Sequence, residues 1–519
     1  MSRLFALIAL VATAVSANEL SYKSLQSGPM GSTTPIFDHG IHGEGQIIAF
    51  LDTGVDWDSC FFIEADGLRP PINIGLQTNN VDLSRRKIVA YDFLYDDPNA
   101  PDAYDNQGHG THGAASAVGD RATPIAHDYG DAIAPGAKMI VQDAGYVGGD
   151  NCAQLPGIGC PVNLAPILEQ AYRQGARIHS NSWGDRQNTP PLVNPPTANY
   201  PQSAYDVDAF VVSHPDMLIV FNTGNLGGSG SAPPSSVSAP GSAKNVLQVG
   251  GTRDASHYLD DALSSFTLFG PTRDGRIKPD LVGPAYVMAG DAKSISHGQT
   301  CSMTFQPGTS WSSPSIAGAA ALVRQYFTDG YYPSGTAKPA DRMTPSAALL
   351  KATLIASARR VPFMTVSNTQ VPTKPVPSNE QGFGFPVLAD ALYFPGNAVK
   401  LRVTDVPLQN GLTEGQTATT QVTVRGANPL KVVLVWTDPA GSALVNDLDL
   451  RVTDPSGVVL FGNGQPDHVN NVEAVSIAQP LAGVYTISVL HRTGSRQGYA
   501  LVITGDFADP STRSRAARH

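Results

Sequence analysis

Residues 46–56 read QIIAFLDTGVD. An apolar run rich in isoleucine closes on an acid, and Thr53-Gly54 turns the chain immediately after it. Such a run, uninterrupted by polar residues, fits a strand buried on both faces of a sheet. Asp52 then stands at the carboxyl end of that strand, where open α/β sheets meet their ligands. Runs of the same kind recur at Lys138–Gln142, Arg177–Asn181, Met217–Phe221 and Val246–Val249. Helical patterns lie between them: Leu164–Gln174, closed by Gly175, and Ala204–Ser213, which stops before His214-Pro215. Strands alternating with helices predict an α/β fold, a parallel sheet with helices on both faces. Two more helices are expected, one from Ser310 to about Phe327 and one with Thr344 as N-cap and Pro345 as its first residue.

The pattern changes after Phe394. Val399–Val406, Thr419–Val424, Lys431–Trp436, Asp447–Val452, Val472–Ile477 and Val484–Val489 alternate or are β-branched. Asp438-Pro439, Asp454-Pro455, Ser456-Gly457 and Ala482-Gly483 punctuate them as turns. An all-β sandwich or jelly roll is expected over 396–519, after an α/β domain over 18–395. A chain of 519 residues is longer than a single core usually supports, which agrees with two domains.

Residues 1–17 have the layout of a secretory signal: Arg3, an apolar Leu4–Val15, and small residues at Val15-Ser16-Ala17. No run is long enough for a membrane span. Secretion into an oxidising compartment suits the four cysteines, Cys60, Cys152, Cys160 and Cys301, whose three possible pairings the sequence leaves open. A net charge of −10 with no basic stripe excludes a nucleic-acid footprint.

Four further stretches carry chemistry. In "DNQGHGTHGAASAVGD", glycines flank His109, and His112 follows three residues on. A zinc pair on a helix wants a spacing of four and a third ligand, so this stretch fits poorly as a metal clip. His109, at the helix entrance, suits a general base, and His112 suits packing behind it. In "PGTSWSSPSIAGAAALV", Ser310 lies where loop becomes helix, with its hydroxyl at the positive end. In "LIVFNTGNLGG", Asn225 follows a strand and offers an amide donor for an oxyanion. Asp-Thr-Gly also opens aspartic proteases, but those require two copies and this chain has one. Taken singly, each residue also has an ordinary structural reading as turn, cap or core.

Taken in order, Asp52-Thr53-Gly54, His109-Gly110-Thr111-His112, "SNSWG" at 180–184, Gly224-Asn225 and Gly308-Thr309-Ser310 with Pro314 resemble the subtilisin-like serine proteases. The resemblance extends through "FGPTRDGRIKPDLVGP" into "LVNDLDLRVTDPSG", and is similar to the alkaline branch with a C-terminal β domain. It implies a secreted serine endopeptidase with Ser310 as nucleophile, His109 as general base, Asp52 orienting the imidazole and Asn225 in the oxyanion hole. Ser182, Trp183 and Gly184 would pair with an extended protein or peptide substrate as an added strand. Neither nucleic acid nor a membrane is expected as partner, and the chain is read as a monomer. A catalytically silent binding module and an esterase are the alternatives; the intact catalytic set opposes the first and the peptide-pairing strand the second.

Trp311-Ser312 replace the usual Met-Ala after the nucleophile, and Phe221-Asn222-Thr223 replace two alanines before Gly224. Residues 18–51 resemble the start of a mature domain; for the propeptide that the resemblance implies, a truncated sequence, help in trans and unaided folding stand as alternatives. On a strand, Asp447 and Asp449 share one face while Leu448 and Leu450 fill the other. Either Arg451 or a calcium ion could neutralise that pair. The resemblance, in which calcium commonly stabilises the fold, favours calcium.

Overall fold

The computed structural model describes residues 18–28, 31–94, 105, 107–121, 131–145, 155–159, 162–184, 200–226, 234–252, 262–292, 301–366 and 369–508. The signal segment 1–17, Cys152, Cys160 and the basic tail from Arg513 lie outside them.

Seven strands form the parallel heart of an eleven-stranded sheet: β1 (Ile47–Asp52), β2 (Ile72–Ile74), β3 (Ile88–Phe93), β4 (Lys138–Asp143), β5 (Ile178–Asn181), β6 (Leu218–Asn222) and β7 (Leu247–Thr252). Their spatial order is β7-β6-β5-β1-β4-β3-β2. The helices are α1 (Glu19–Ser27), α2 (His109–Val118), α3 (Ala165–Arg173), α4 (Gln202–Ser213), α5 (Thr309–Thr328) and α6 (Ala347–Ser357). The expected α/β fold with its parallel sheet is what the chain forms. In the central strands both faces are buried, which is why their sequences run apolar instead of alternating. The register opposes Asp52 to Asp143 on β4 and Leu51 to Asn181 on β5, so the chain leaves β1 and β5 side by side.

One helix start differs from expectation. Ser346, not Thr344, caps α6, its hydroxyl accepting from Leu349 N–H at 3.0 Å. The same hydroxyl donates to Asp405 at 2.7 Å. A carboxylate 59 residues downstream therefore selects the cap, and Thr344-Pro345 remain outside.

The C-terminal strands form two four-stranded antiparallel sheets. The first holds Lys400–Val406, Tyr499–Gly505, Leu430–Val435 and Val472–Ile477; the second holds Thr417–Val424, Gly483–Thr493, Asp447–Thr453 and Val459–Phe461. Val432 and Leu434 face the second sheet, in a core built on Trp436, Leu450 and Ile487. Val433 and Val435 face the other way and join the core of the α/β part. A buried polar junction lies on the same side. The Lys244 ammonium donates to the Asp438 carboxylate and to the carbonyls of Pro439 (2.7 Å) and Ala443 (2.9 Å). Asn245 exchanges hydrogen bonds with the Asp438 backbone at 2.8 and 2.9 Å. A disulfide joins Cys60 to Cys301 across 241 residues.

Candidate active site

Asp52 ends β1, and α2 begins at His109. The His109 Nδ1 lies 2.7 Å from Asp52 Oδ1, which also accepts from the Thr53 N–H at 2.8 Å. The two segments approach closely: a Cβ on Gly110 would sit 2.1 Å from the Gly54 carbonyl, so only glycine fits there. Burial disfavours the His109 imidazolium, but the Asp52 carboxylate outweighs it, and the pKa is raised above 6.5. One third of the His109 side chain remains exposed, enough for its outer edge to reach a substrate.

Sequence reasoning missed the group that holds this pair. Asp105 is fully buried and accepts five hydrogen bonds: Thr53 Oγ1 (2.8 Å), Gln107 N (3.1 Å), Gly108 N (2.8 Å), Thr111 N (2.7 Å) and Thr111 Oγ1 (2.9 Å). It ties the residue after Asp52 to both sides of His109, and Gly110 N–H closes the loop onto Thr53 Oγ1 at 3.0 Å. Burial pushes the Asp105 carboxyl up to about 6, and the donors pull against that. In the sequence it stands in a polar turn and carries no motif of its own.

Ser310 is the second residue of α5, which enters through Gly308 at φ +154°. The Ser310 hydroxyl donates to the Ser182 carbonyl at 3.4 Å, its only hydrogen bond among the described residues. Ser182 Oγ in turn donates to the Ser310 carbonyl at 2.7 Å, and Ser313 Oγ to the Asn181 carbonyl at 3.1 Å, stitching the end of β5 to α5. Trp311 packs against both histidines, its ring 4.8 Å from that of His109 and 4.3 Å, edge-on, from that of His112. His112 is wholly buried, and burial pulls its pKa to about 3, so it is a neutral packing residue.

Asn225 is oriented by Thr309, whose N–H (2.8 Å) and hydroxyl (3.0 Å) both donate to Asn225 Oδ1. That turns the amide Nδ2 toward the start of α5. A Cβ built on Gly308 would lie 3.7 Å from Asn225 Nδ2 and 3.8 Å from the Ser310 N–H, so both donors flank one small space that glycine keeps open. Asn222, one of the unexpected residues before Gly224, is buried and donates to Thr309 Oγ1 at 3.4 Å. Trp183 stands edge-on to Phe221 with centroids 5.3 Å apart, and a Cβ on Gly184 would meet Ser238 Oγ at 2.6 Å. Ser182, Trp183 and Gly184 thus line the same end of the sheet as Ser310.

A separate cluster lies in the C-terminal part, with Asp447 and Asp449 on the second sheet and Glu473 on the first. Asp447, Asp449 and Glu473 are buried, and Asp447 Oδ1, Asp449 Oδ1 and Glu473 Oε1 accept no hydrogen bond. His468 Nδ1 lies 2.9 Å from Asp447 Oδ2 and 3.8 Å from Asp449 Oδ1, close enough for the three side chains to share one ion. Arg451 reaches Asp449 Oδ2 at 3.2 Å, and Arg492 stays 3.8–3.9 Å from both aspartates. Burial, reinforced by neighbouring carboxylates, pushes Glu473 up to about 9.

The chain is similar to a serine protease/ABC transporter B family protein, tagA, of Dictyostelium discoideum, 25% identical over 94% of this chain but 32% of that protein. The thermophilic serine proteinase of Bacillus sp. strain AK1 is 28% identical over 59% of each chain, and subtilisin BL of Lederbergia lenta 26% identical over 56% of this chain and 79% of its own. The chain spans about a third of the length of the first of these relatives. Among solved structures, the serine protease of Aeromonas sobria covers 95% of both chains at 15% identity and a TM-score of 0.42. The model of the subtilase family matches residues 43–384. That match runs from the lead into β1 to beyond α6, takes in the greater part of the chain, and places this protein in the subtilase family of serine proteases.

Proposed function

We propose that the protein is a secreted serine endopeptidase that cleaves extended protein segments with Asp52, His109 and Ser310. The observation that carries this reading is the Asp52–His109 pair, packed through Trp311 onto the helix start that bears Ser310. For the reaction, the Ser310 hydroxyl exchanges its 3.4 Å bond to the Ser182 carbonyl for one to His109 Nε2; such catalytic bonds are often long or unformed without substrate. Ser310 Oγ attacks the scissile carbonyl carbon while its proton passes to His109. Asp52 stabilises the imidazolium, which then delivers that proton to the leaving amine. Asn225 Nδ2 and the Ser310 N–H stabilise the oxyanion. The backbone of Ser182–Gly184 holds the substrate strand by β-augmentation. The 1–17 leader and the Cys60–Cys301 disulfide support secretion into an oxidising compartment.

Calcium belongs to the same reading. The unpartnered oxygens of Asp447 and Asp449 fit a hard cation, with His468 near enough to share it. When bound, the ion would supply charge neutralisation to the sandwich and no chemistry to the cleft.

Labelling with a fluorophosphonate, followed by a casein digest, tests the function. Labelling with peptide cleavage, both lost in Ser310→Ala, is expected. Labelling without cleavage would identify an esterase, and no labelling a silent module.

A further inference from the structure

The α/β part and the first C-terminal sheet do not close completely upon each other. Between α6 and its following loop on one side, and the strands Leu430–Val435, Val459–Phe461 and Val472–Ile477 on the other, lies a cavity of about 440 Å³. That size is in the range of small-molecule sites, which often form where two domains meet. Part of its lining is apolar, Ile355, Phe383, Val433, Val459 and Phe461, and part is polar, Asn463 and Ser476; Val459 is exposed, so the cavity opens to solvent. One charge enters this lining, the ammonium of Lys431.

The Lys431 ammonium donates to the Ala358 carbonyl. It has no carboxylate of its own among the described residues that line the cavity. The acid that acts on it from outside, Asp390, is held by the Arg359 guanidinium through two bonds of 2.6 and 2.7 Å. The other polar side chain with several bonds in the lining, Asn463, is satisfied: its Nδ2 donates to Asp467 and to the Val472 carbonyl, and its Oδ1 accepts from Ala474 N–H. The lining therefore pairs an apolar strip of an open groove with one ammonium whose hydrogen-bond partner is a neutral carbonyl.

We propose that this interdomain cavity binds a straight-chain monocarboxylate, with the alkyl chain between α6 and the sandwich and the carboxylate on Lys431. A charge-assisted bond replaces a neutral one there. Burial, the largest influence on Lys431, pulls its pKa to about 8; Asp390 opposes that pull and Arg359 adds to it. The proposal stands independently of the catalytic reading, since no residue of the cleft takes part.

The test uses the full-length Ser310→Ala protein, which cannot digest itself. Its melting temperature is followed with dodecanoate, with dodecanol, and with a short peptide ending in leucine, all below micellar concentrations. Dodecanoate should stabilise saturably and bind roughly tenfold more tightly than dodecanol, the margin expected of one charge-assisted bond. Lys431→Met should reduce dodecanoate to the level of dodecanol, while Lys431→Arg keeps the preference. Ala474→Phe, which fills the cavity, should abolish binding of both. Equal affinity for acid and alcohol in the unsubstituted site would overturn the proposal even if Lys431→Met failed to fold. So would undiminished binding in Ala474→Phe, or binding of the peptide alone.

Discussion

Two groups of buried carboxylates in this molecule are stabilised in opposite ways. Behind His109, each Asp105 oxygen faces N–H and O–H donors, five in all, and no whole charge is needed to keep it in place. In the C-terminal part, one oxygen each of Asp447 and Asp449 meets no donor, and their partners are the side chains of Arg451, Arg492 and His468. Donor-saturated carboxylates fix geometry, because each bond is directional. A carboxylate cluster with open oxygens is a reservoir of negative charge that answers to whatever cation arrives. The first arrangement suits a site that must hold an imidazole to within a fraction of an ångström, and the second suits a stabilising ion.

The largest expected effect separates the two directly. Ser310→Ala and His109→Ala should each cost about 10⁶ in kcat, a magnitude carried over from subtilisins, because the three groups act as a unit. Asp449→Ala should leave kcat on a peptide amide unchanged. A turnover loss on Asp449→Ala would erase the distinction. Asn225→Ala comes next, at ~10²–10³ in kcat with KM little altered, again the subtilisin figure. Full activity in that variant would remove Asn225 from the oxyanion hole.

Asp105→Asn sharpens the comparison. An amide must turn its NH₂ toward groups that themselves donate, so the loop carrying His109 should shift. A displacement of about 1 Å costs ~10² in rate, felt in kcat more than in KM. Unchanged kcat with a lowered melting temperature would reduce Asp105 to a purely structural role. The pH profile reports the same geometry. Because Asp52 raises the His109 pKa, the acid limb of kcat/KM should lie above 6.5, with activity rising as the base loses its proton. Asp52→Asn should move that limb down while lowering the plateau; an unmoved limb would mean another group titrates.

Calcium should give the smallest effect, and on stability alone. At ~100-fold excess over Kd a bound ion contributes about 2.7 kcal/mol, so chelator should lower the melting temperature of the wild type by several degrees but not that of Asp449→Ala. Equal drops in both would place the ion elsewhere; no drop in either would leave Arg451 and Arg492 as the counter-charge.

Much of the fold was legible because it rests on local pattern. Buried parallel strands announce themselves as apolar runs, and the observed β1 and β4–β7 fall within a few residues of the runs read from sequence. Asp52, His109, Asn225 and Ser310 were legible because glycines and strand ends mark each of them. What stayed hidden depends on partners distant in sequence. Asp105 matters because Thr53 faces it, and Ser346 caps α6 because Asp405 accepts its hydroxyl proton. The strand Tyr499–Gly505 carries no alternation to announce it, because it is buried on every residue, and only five residues separate it from the end of the preceding strand. Cys60 and Cys301 could not be paired from sequence, since only the folded chain brings residues 241 apart together.

The junction of Lys244 with Asp438 bears on modularity. A catalytic unit cut off near residue 395 would keep the lysine and lose its carboxylate, together with the carbonyls of Pro439 and Ala443. The cut would also bare the apolar surface that Val433 and Val435 cover on the α/β part, which costs free energy in proportion to the area exposed. The sandwich is therefore not a removable appendage, and transplanting it onto another protease would fail unless a Lys-Asn pair travelled with it.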